Sequence, residues 1–180
     1  LPGGAPIFFH LGSMDWLPNE EGVRWLLDQV WPRLVRKHPG ARLHLAGNKM
    51  PRDLMDAEIE GVTVQGRIRS ANKYMALRQV MVVPLFSAGG MRVKIIEGMA
   101  MGRTIISTPI GAEGIDCTHG RDVLLARTAT EFAEQMGRLI SDPALVQEIG
   151  THARELVRVR YSDTKVVSEL IAFYRSLLKG

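Results

Sequence analysis

The chain has 180 residues, of which 46% are hydrophobic and 23% charged, so it can build one sizeable core in a single globular domain. No stretch approaches the roughly 18–20 consecutive apolar residues that a membrane-spanning helix needs. The single cysteine excludes an intrachain disulfide and fits a reducing cytosol. The formal net charge of +4 fits a phosphate ligand, a peripheral contact with an anionic membrane face, or no particular partner.

Short apolar runs that end at glycine, proline or another turn residue predict buried strands along the chain. In chain order, these runs lie at 7–11, 42–46, 62–64, 80–83, 104–107 and 123–125. Helical spacing predicts a long helix after Asn19, a short helix after Ser70 and another from Met91 to Met101, with Asn19 and Ser70 as N-caps. Three further helices are expected near 129–140, 143–159 and 163–178.

The alternation of strands with helices predicts an α/β fold, in which helices cover both faces of a doubly wound parallel sheet. In such sheets ligands bind beyond the carboxyl ends of the strands. The loops after Leu11, Val64 and Val83 are therefore the places where a ligand site is expected.

The segment from Ser87 to Ala100 follows a predicted strand and opens a helix. Gly89 and Gly90 would let the backbone approach a ligand closely, and free N–H groups at a helix start attract phosphate. We expect Arg92 in the first helical turn, where its cation opposes the helix dipole. A bound anion would resolve that conflict.

Lys94 and Glu97 are three residues apart and therefore share one face of this helix. A cation beside a helix N-terminus suits a diphosphate, and a carboxylate one turn further on suits the vicinal hydroxyls of a ribose. An exposed helix pair explains the same two residues equally well. The buried side of the helix is expected to carry Val93, Ile96 and Ala100.

The loop from Gly12 to Asn19 connects the first strand to the first long helix. Gly12 and Ser13 could admit a phosphate or a sugar, but an ordinary loop with a helix N-cap also explains them. His10, on the preceding strand, is expected to be a core residue with its hydrogen bonds satisfied. None of the five histidines has zinc-ligand spacing, and no nucleic-acid-binding motif is present.

Nearly the whole chain resembles the carboxyl-terminal, Rossmann-like half of GT-B-fold glycosyltransferases of family 4, the group 1 type. The segments that carry the resemblance are GSMDWLPNEEGVRWLLDQVWPRLVRKHP, LHLAGN, VQGRI and VPLFSAGGMRVKIIEGMAMGRTIISTPIGAEGI. The resemblance implies that Lys94 contacts the diphosphate of a nucleotide sugar and that Glu97 contacts the ribose. It also implies that the nucleotide base rests against the turn at Gly66 and Arg67.

One departure from the family pattern concerns the donor sugar. The common signature has two glutamates separated by seven residues, and Gly89 stands where the first is expected. Arg92 instead matches a sub-branch with the pattern GxRxKxxEAMA. Backbone amides at Gly89 and Gly90 could replace part of the missing contact, but they cannot supply a carboxylate.

The resemblance implies that residues 1–180 form the donor-binding domain of a glycosyltransferase. Such an enzyme moves a glycosyl group from a nucleoside-diphosphate sugar to a hydroxyl of a sugar, lipid or polysaccharide acceptor. Arg92 and Lys94 would stabilise charge that develops on the leaving diphosphate. Retention of anomeric configuration is implied, without a metal or another cofactor.

The first residues, Leu1 to Gly4, contain neither an initiator Met nor a secretion signal. We therefore expect an amino-terminal acceptor domain outside this chain. Because half of the cleft is then missing, we expect no transfer activity from this chain alone. The whole protein is expected to be cytoplasmic and able to reach the inner membrane face. Two alternatives remain open: a nucleotide-sugar epimerase of the same fold, and a non-catalytic nucleotide-binding module on a transferase scaffold. The base, the sugar and the acceptor are not specified by the sequence.

Overall fold

The computed structural model describes residues 4–87 and 89–177, which contain a six-stranded sheet whose neighbouring strands are all parallel. The strands are β1 Ile7–Leu11, β2 Arg42–Ala46, β3 Val62–Gly66, β4 Val80–Val83, β5 Thr104–Ser107 and β6 Leu124–Leu125. Every predicted strand is confirmed, and the last lacks only its first expected residue. The strand order is β3-β2-β1-β4-β5-β6, so the order changes direction between β1 and β4.

Helices lie in the connections from β1 through β5 and follow β6, whereas residues 108–123 join β5 to β6 without a helix. They are α1 Leu17–Trp25, α2 Trp31–Val35, α3 Arg52–Met55, α4 Ala71–Ala76, α5 Val93–Ala100, α6 Ala129–Ser141, α7 Pro143–Arg160 and α8 Asp163–Leu177. A π-helical segment, Leu26–Val30, joins α1 to α2. Ser70 caps α4 as predicted, because its side chain accepts a hydrogen bond from the backbone N–H of Lys73. Residue 178, the predicted end of the last helix, lies outside the described residues.

Two hydrophobic clusters pack against opposite faces of the sheet. Phe8 belongs to the cluster beneath α1, α2 and α6, whereas Phe9 belongs to the cluster beneath α4, α5 and α7. Neighbouring residues of β1 thus point to opposite faces, as strand geometry requires. The doubly wound α/β fold expected from the sequence is confirmed.

The first helix begins earlier than the sequence suggested. α1 starts at Leu17 with Trp16 as its N-cap, so the prediction that Asn19 caps it was wrong. Pro18 explains the shift, since its fixed φ and missing N–H suit the first helical turn. Asn19 has a different role: its Nδ2 donates a hydrogen bond to the carbonyl of Ser13 at 2.9 Å.

Two kinds of feature are absent from the residues that the structure describes. No helix within residues 4–87 and 89–177 combines the length and apolar composition needed to cross a bilayer. In the same part of the chain, no three His, Cys, Asp or Glu side chains are grouped as metal ligands would be.

Candidate functional site

The carboxyl ends of β1 and β4 lie where the strand order changes direction. The register between these strands pairs Phe8 with Val80 and Phe9 with Met81. Beyond that point the chain leaves β1 towards α1 on one face and leaves β4 towards α5 on the other. A cavity of about 320 Å³ lies at this split. Ligands of doubly wound sheets bind at such a switch point.

The cavity wall combines residues 10–13 at the end of β1, residues 91–95 at the start of α5, and side chains from the strands below. Among the predicted site residues, those in the wall are Gly12, Ser13, Arg92 and Lys94. Those outside it are Gly66, Arg67, Gly89, Gly90 and Glu97. The turn at Gly66 and Arg67 follows β3, which is separated from β1 by β2. The structure therefore brings the start of α5 to the loop after β1, while the β3 turn lies farther along the same sheet edge.

The start of α5 differs from the expected arrangement. The helix begins at Val93, and Arg92 is its N-cap rather than a first-turn residue. The guanidinium of Arg92 donates to the carbonyl oxygens of Gly89, at 3.1 Å, and Gly90. Gly90 has a φ of +75°, which glycine adopts without strain. Arg92 thus holds the glycine loop in shape, and no side chain caps the N-terminus of α5.

The buried side of α5 was predicted wrongly. The residues that pack against the sheet are Ile95, Gly98 and Met99. Val93 is 63% exposed, Ala100 is exposed and Ile96 is half-buried. The actual stripe has the spacing i, i+3, i+4, which is a helical face displaced from the predicted one. Gly98 permits the close contact, because a Cβ there would lie 3.3 Å from the side chains of β4 and β5.

Lys94 and Glu97 lie on one helix face, as predicted, and they pair with each other. Lys94 Nζ lies 2.9 Å from Glu97 Oε2, and the two side chains are 40% and 43% exposed. An exposed pair of this kind contributes about 0–1 kcal/mol, so a charged ligand can compete for either partner. The geometry is compatible with both the ligand-binding hypothesis and the exposed-pair hypothesis.

Gly12 leaves space that a neighbouring side chain occupies. A Cβ at Gly12 would lie 2.6 Å from Nδ2 of Asn19, the same atom that donates to the Ser13 carbonyl. Asn19 therefore fills the space that the glycine leaves and holds the loop at the cavity edge. The sequence suggested a close approach of ligand at Gly12, whereas the close approach seen is that of a side chain.

His10 is buried, as predicted, but only one of its ring nitrogens is satisfied. The side chain is 3% exposed, and Nδ1 lies 3.0 Å from the carbonyl oxygen of Val82. Nε2 is buried and has no hydrogen-bond partner in the described part of the chain. The expectation of a fully satisfied core histidine was therefore wrong. Burial lowers the pKa of His10, which favours the neutral ring.

Stability should therefore depend on pH through His10. A lowered folded-state pKa means that the unfolded chain binds the proton more readily than the folded protein does. The contribution of His10 to stability is therefore fully present above the unfolded pKa of about 6.5 and is lost as the pH drops below it. We expect His10 to contribute a slope of up to about 1.4 kcal/mol per pH unit in the free energy of unfolding. Urea unfolding of wild type and His10→Phe between about pH 5 and 7.5 measures this slope. His44, whose pKa is also lowered by burial, is present in both proteins and contributes equally to both slopes. Equal slopes for the two proteins would therefore contradict the prediction.

A larger cavity, of about 570 Å³, lies between the end of α2 and α6, away from the switch point. Its cations include Arg33 and Arg138, each in the last turn of its helix. Cations at these positions complement the partial negative charge of the helix C-terminus. The candidate site is therefore the smaller cavity, where strand ends, glycine loops and a helix N-terminus meet.

The sheet order and the position of the cavity define a Rossmann-like domain of the kind that forms half of GT-B glycosyltransferases. The profile of the family described as "Glycosyl transferases group 1" matches residues 5–142, and the chain belongs to that family. This confirms the resemblance given by the sequence segments.

The chain is also similar to a curated protein and, in fold, to solved structures. The chain is 22% identical over 169 residues to an uncharacterised 44.6 kDa protein in the cps region of Klebsiella pneumoniae, covering 89% of this chain and 44% of that protein. It is similar in fold to a mutant of S. aureus TarM in complex with Fondaparinux, alpha-GlcNAc-glycerol and UDP, with a TM-score of 0.77. The two chains are 17% identical, and the match covers 93% of this chain and 35% of the TarM chain. It also resembles the C-terminal domain of the group 1 glycosyl transferase LpcC from Francisella tularensis, with a TM-score of 0.70, 18% identity, and coverage of 89% and 88%. The chain thus spans less than half the length of the Klebsiella protein and of TarM.

Proposed function

We propose that this chain binds a nucleoside-diphosphate sugar and that the whole protein transfers the glycosyl group to an acceptor hydroxyl. The observation that carries the proposal is the cavity at the switch point, whose wall includes Lys94 and the uncapped N-terminus of α5. Free N–H groups at a helix start and a neighbouring cation suit a diphosphate. The UDP in the TarM complex supports a nucleotide ligand for this fold.

In this proposal the diphosphate meets the first turn of α5 and Lys94. Lys94 exchanges its ion pair with Glu97 for the phosphate oxygens, to which it donates charge-assisted hydrogen bonds. Arg92 adds positive potential and, through its bonds to the carbonyls of Gly89 and Gly90, orients the loop beside the donor sugar. These groups stabilise the negative charge that grows on the diphosphate as it leaves.

The nucleoside then extends from the cavity along α5. Glu97, released from Lys94, accepts hydrogen bonds from the ribose hydroxyls, and the base rests against the turn at Gly66 and Arg67. Gly12 and Ser13 close the cavity on the side of β1. The residues assigned to the nucleoside lie outside the cavity wall, which fits a ligand longer than the cavity itself.

The rest of the reaction depends on parts outside this chain. We propose that an acceptor-binding domain supplies the other wall of the cleft, in a cytoplasmic protein that can reach the membrane face. Family resemblance supports transfer with retention and without a metal ion. The acceptor is a sugar, lipid or polysaccharide hydroxyl. The family match favours neither the epimerase nor the non-catalytic nucleotide-binding module.

Calorimetry with UDP, GDP and ADP tests the donor site directly. We expect UDP or GDP to bind the 180-residue chain weakly, with a Kd on the order of 0.1–1 mM, because only one wall of the cleft is supplied. The Tm of the protein should also rise as nucleotide is added. The absence of both heat and thermal shift at millimolar nucleotide would mean that this chain has no preformed donor site.

A further inference from the structure

Trp16 differs from the other two tryptophans in its exposure to solvent. Trp31 is 1% exposed, and its Nε1 donates to a backbone carbonyl at 2.8 Å. Trp25 packs edge-on against Phe86 and Phe132, with ring centroids 4.8 and 5.3 Å apart. Trp16 is 38% exposed and lies in the wall of the 320 Å³ cavity. A large aromatic side chain is therefore open to a ligand at this site.

The backbone holds Trp16 in a fixed place beside the cavity. Its N–H donates to the carbonyl of Ser13 at 3.4 Å, and its own carbonyl accepts from the N–H of Asn19 at 2.9 Å. The side chain of Asn19 also donates to the Ser13 carbonyl, so the loop is tied on both sides of the ring. A ligand that packs on this ring has few side-chain rotamers to immobilise.

The indole ring of Trp16 lies next to the start of α5. The guanidinium carbon of Arg92 lies over the ring, 5.7 Å from its centroid, which is within the range of a cation–π contact. The same guanidinium is bound to the carbonyls of Gly89 and Gly90, so its position does not depend on the ring. The ring therefore borders the cavity at the N-terminal end of α5, where the diphosphate is proposed to bind.

Two parts of a nucleotide sugar are already assigned to other groups. The diphosphate oxygens are acceptors and suit Lys94 and the free N–H groups of α5. The nucleoside extends towards Glu97, which lies outside the cavity wall. Because the glycosyl group is joined to the other end of the diphosphate, it is left at the cavity, at the end of α5 where Trp16 lies.

We propose that the indole ring of Trp16 packs against the glycosyl group of the donor, so that the protein binds a nucleotide sugar more tightly than its nucleoside diphosphate. This inference rests on the proposed function. A pyranose ring carries hydroxyls at its rim and C–H groups on its faces. One such face can cover the exposed indole and remove apolar surface from water, while the hydroxyls keep their hydrogen bonds at the rim.

Calorimetry on wild type, Trp16→Ala and Trp16→Phe separates this contact from general nucleotide binding. The probes are UDP, UDP-glucose, UDP-N-acetylglucosamine, GDP and GDP-mannose. Wild type should bind at least one nucleotide sugar about three- to tenfold more tightly than its nucleoside diphosphate. In Trp16→Ala this gain should disappear, while the affinity for the nucleoside diphosphate stays within about twofold of wild type. Trp16→Phe keeps an aromatic face and should retain most of the gain.

The position of Trp16 makes these variants suitable. Its side chain makes no hydrogen bond that caps α1, so neither substitution removes a helix cap. Leu17→Ala is the matched control, because Leu17 is the next residue, is 61% exposed and does not line the cavity. This control should leave the affinities for all five probes unchanged.

Several results overturn the inference. Equal losses of nucleoside diphosphate and nucleotide sugar in Trp16→Ala would show that the ring supports the site without touching the sugar. A gain that survives in Trp16→Ala, a gain lost as fully in Trp16→Phe or Leu17→Ala, and a wild type without a gain each contradict aromatic packing on the sugar. Failure of wild type to bind any of the five probes instead refutes the proposed function, and the role of Trp16 falls with it.

Fluorine NMR of protein labelled with 5-fluorotryptophan reports on the ring directly. The signal of Trp16 is the one that is missing from labelled Trp16→Phe. The nucleotide sugar should shift this signal further than the nucleoside diphosphate does, and the signal of the buried Trp31 should stay in place. Identical shifts of the Trp16 signal with both ligands would place the glycosyl group away from the ring and overturn the inference.

Discussion

Gly47→Ala is expected to lower the free energy of unfolding by about 3 kcal/mol or more. A Cβ at Gly47 would lie 1.6 Å from the carbonyl oxygen of Gly12, where the loops that leave β2 and β1 cross. Both loops are held in place, because Gly12 N donates to the Ala46 carbonyl at 3.1 Å and Gly47 N donates to the Gly66 carbonyl at 2.8 Å. Relief of the clash must therefore break backbone hydrogen bonds. Equilibrium unfolding in urea measures the loss.

Gly40→Ala is the matched control. A Cβ at Gly40 has nothing within 4 Å, so this variant should lie within about 0.5 kcal/mol of wild type or be slightly more stable. Because Gly12 lines the cavity, Gly47→Ala should also weaken nucleotide binding under conditions in which it remains folded. A Gly47→Ala protein as stable as the Gly40→Ala control would show that the loop crossing is looser than the structure indicates.

The strands were predictable from sequence because each is a short segment, either mostly apolar or alternating between apolar and polar residues, with a clear stop. β4 and β5 are buried along their whole length, as central strands of a doubly wound sheet are. β4 reads as a continuous hydrophobic segment, and β5 carries Ile105 and Ile106 between two buried hydroxyl residues. The π-helical segment Leu26–Val30 was not predictable, since its apolar spacing is the same as that of an α-helix. The short helix α3 was missed because four residues carry too little periodicity.

The candidate site was predictable in outline and less so in detail. A parallel sheet places the ends of β1 and β4 at one edge, so the meeting of the two glycine-containing loops followed from topology. The partners within those loops did not follow, because they depend on the conformations that the loop backbone and side chains adopt, which local sequence patterns do not specify. Asn19 fills the space at Gly12, and Arg92 binds the loop carbonyls, although sequence suggested a helix cap and a ligand contact respectively.

The burial of His10 could be predicted from the sequence, but its unpaired ring nitrogen could not. A histidine inside a run of apolar strand residues indicated burial, which the structure confirms. Its unpaired Nε2 depends on where the pairing of β1 with β4 ends, and no local pattern reports that. The unpaired ring nitrogen was therefore visible only in three dimensions.

Lys94→Ala should weaken binding of a nucleoside diphosphate about ten- to a hundredfold and leave nucleoside binding unchanged. The physical reason is the loss of a charge-assisted hydrogen bond, worth about 1.5–3 kcal/mol. Glu97→Gln should weaken ribonucleotides and spare 2′,3′-dideoxy analogues, which have no vicinal hydroxyls to donate. Calorimetry with the diphosphate, nucleoside and dideoxy ligands on both variants measures these effects.

Exposed residues away from the 320 Å³ cavity supply matched controls for this pair. Lys37→Ala and Glu148→Gln remove the same charges from exposed positions and should leave all three affinities unchanged. If Lys94 and Glu97 form only an exposed helix pair, joined at 2.9 Å, each substitution should change stability by about 0.2–0.5 kcal/mol and no affinity at all. Equal losses for all three ligands would mean that the two residues support the fold of the site without dividing the diphosphate from the ribose. A diphosphate-specific loss at Lys94 together with a ribose-specific loss at Glu97 is the one pattern that assigns each residue its own part of the ligand.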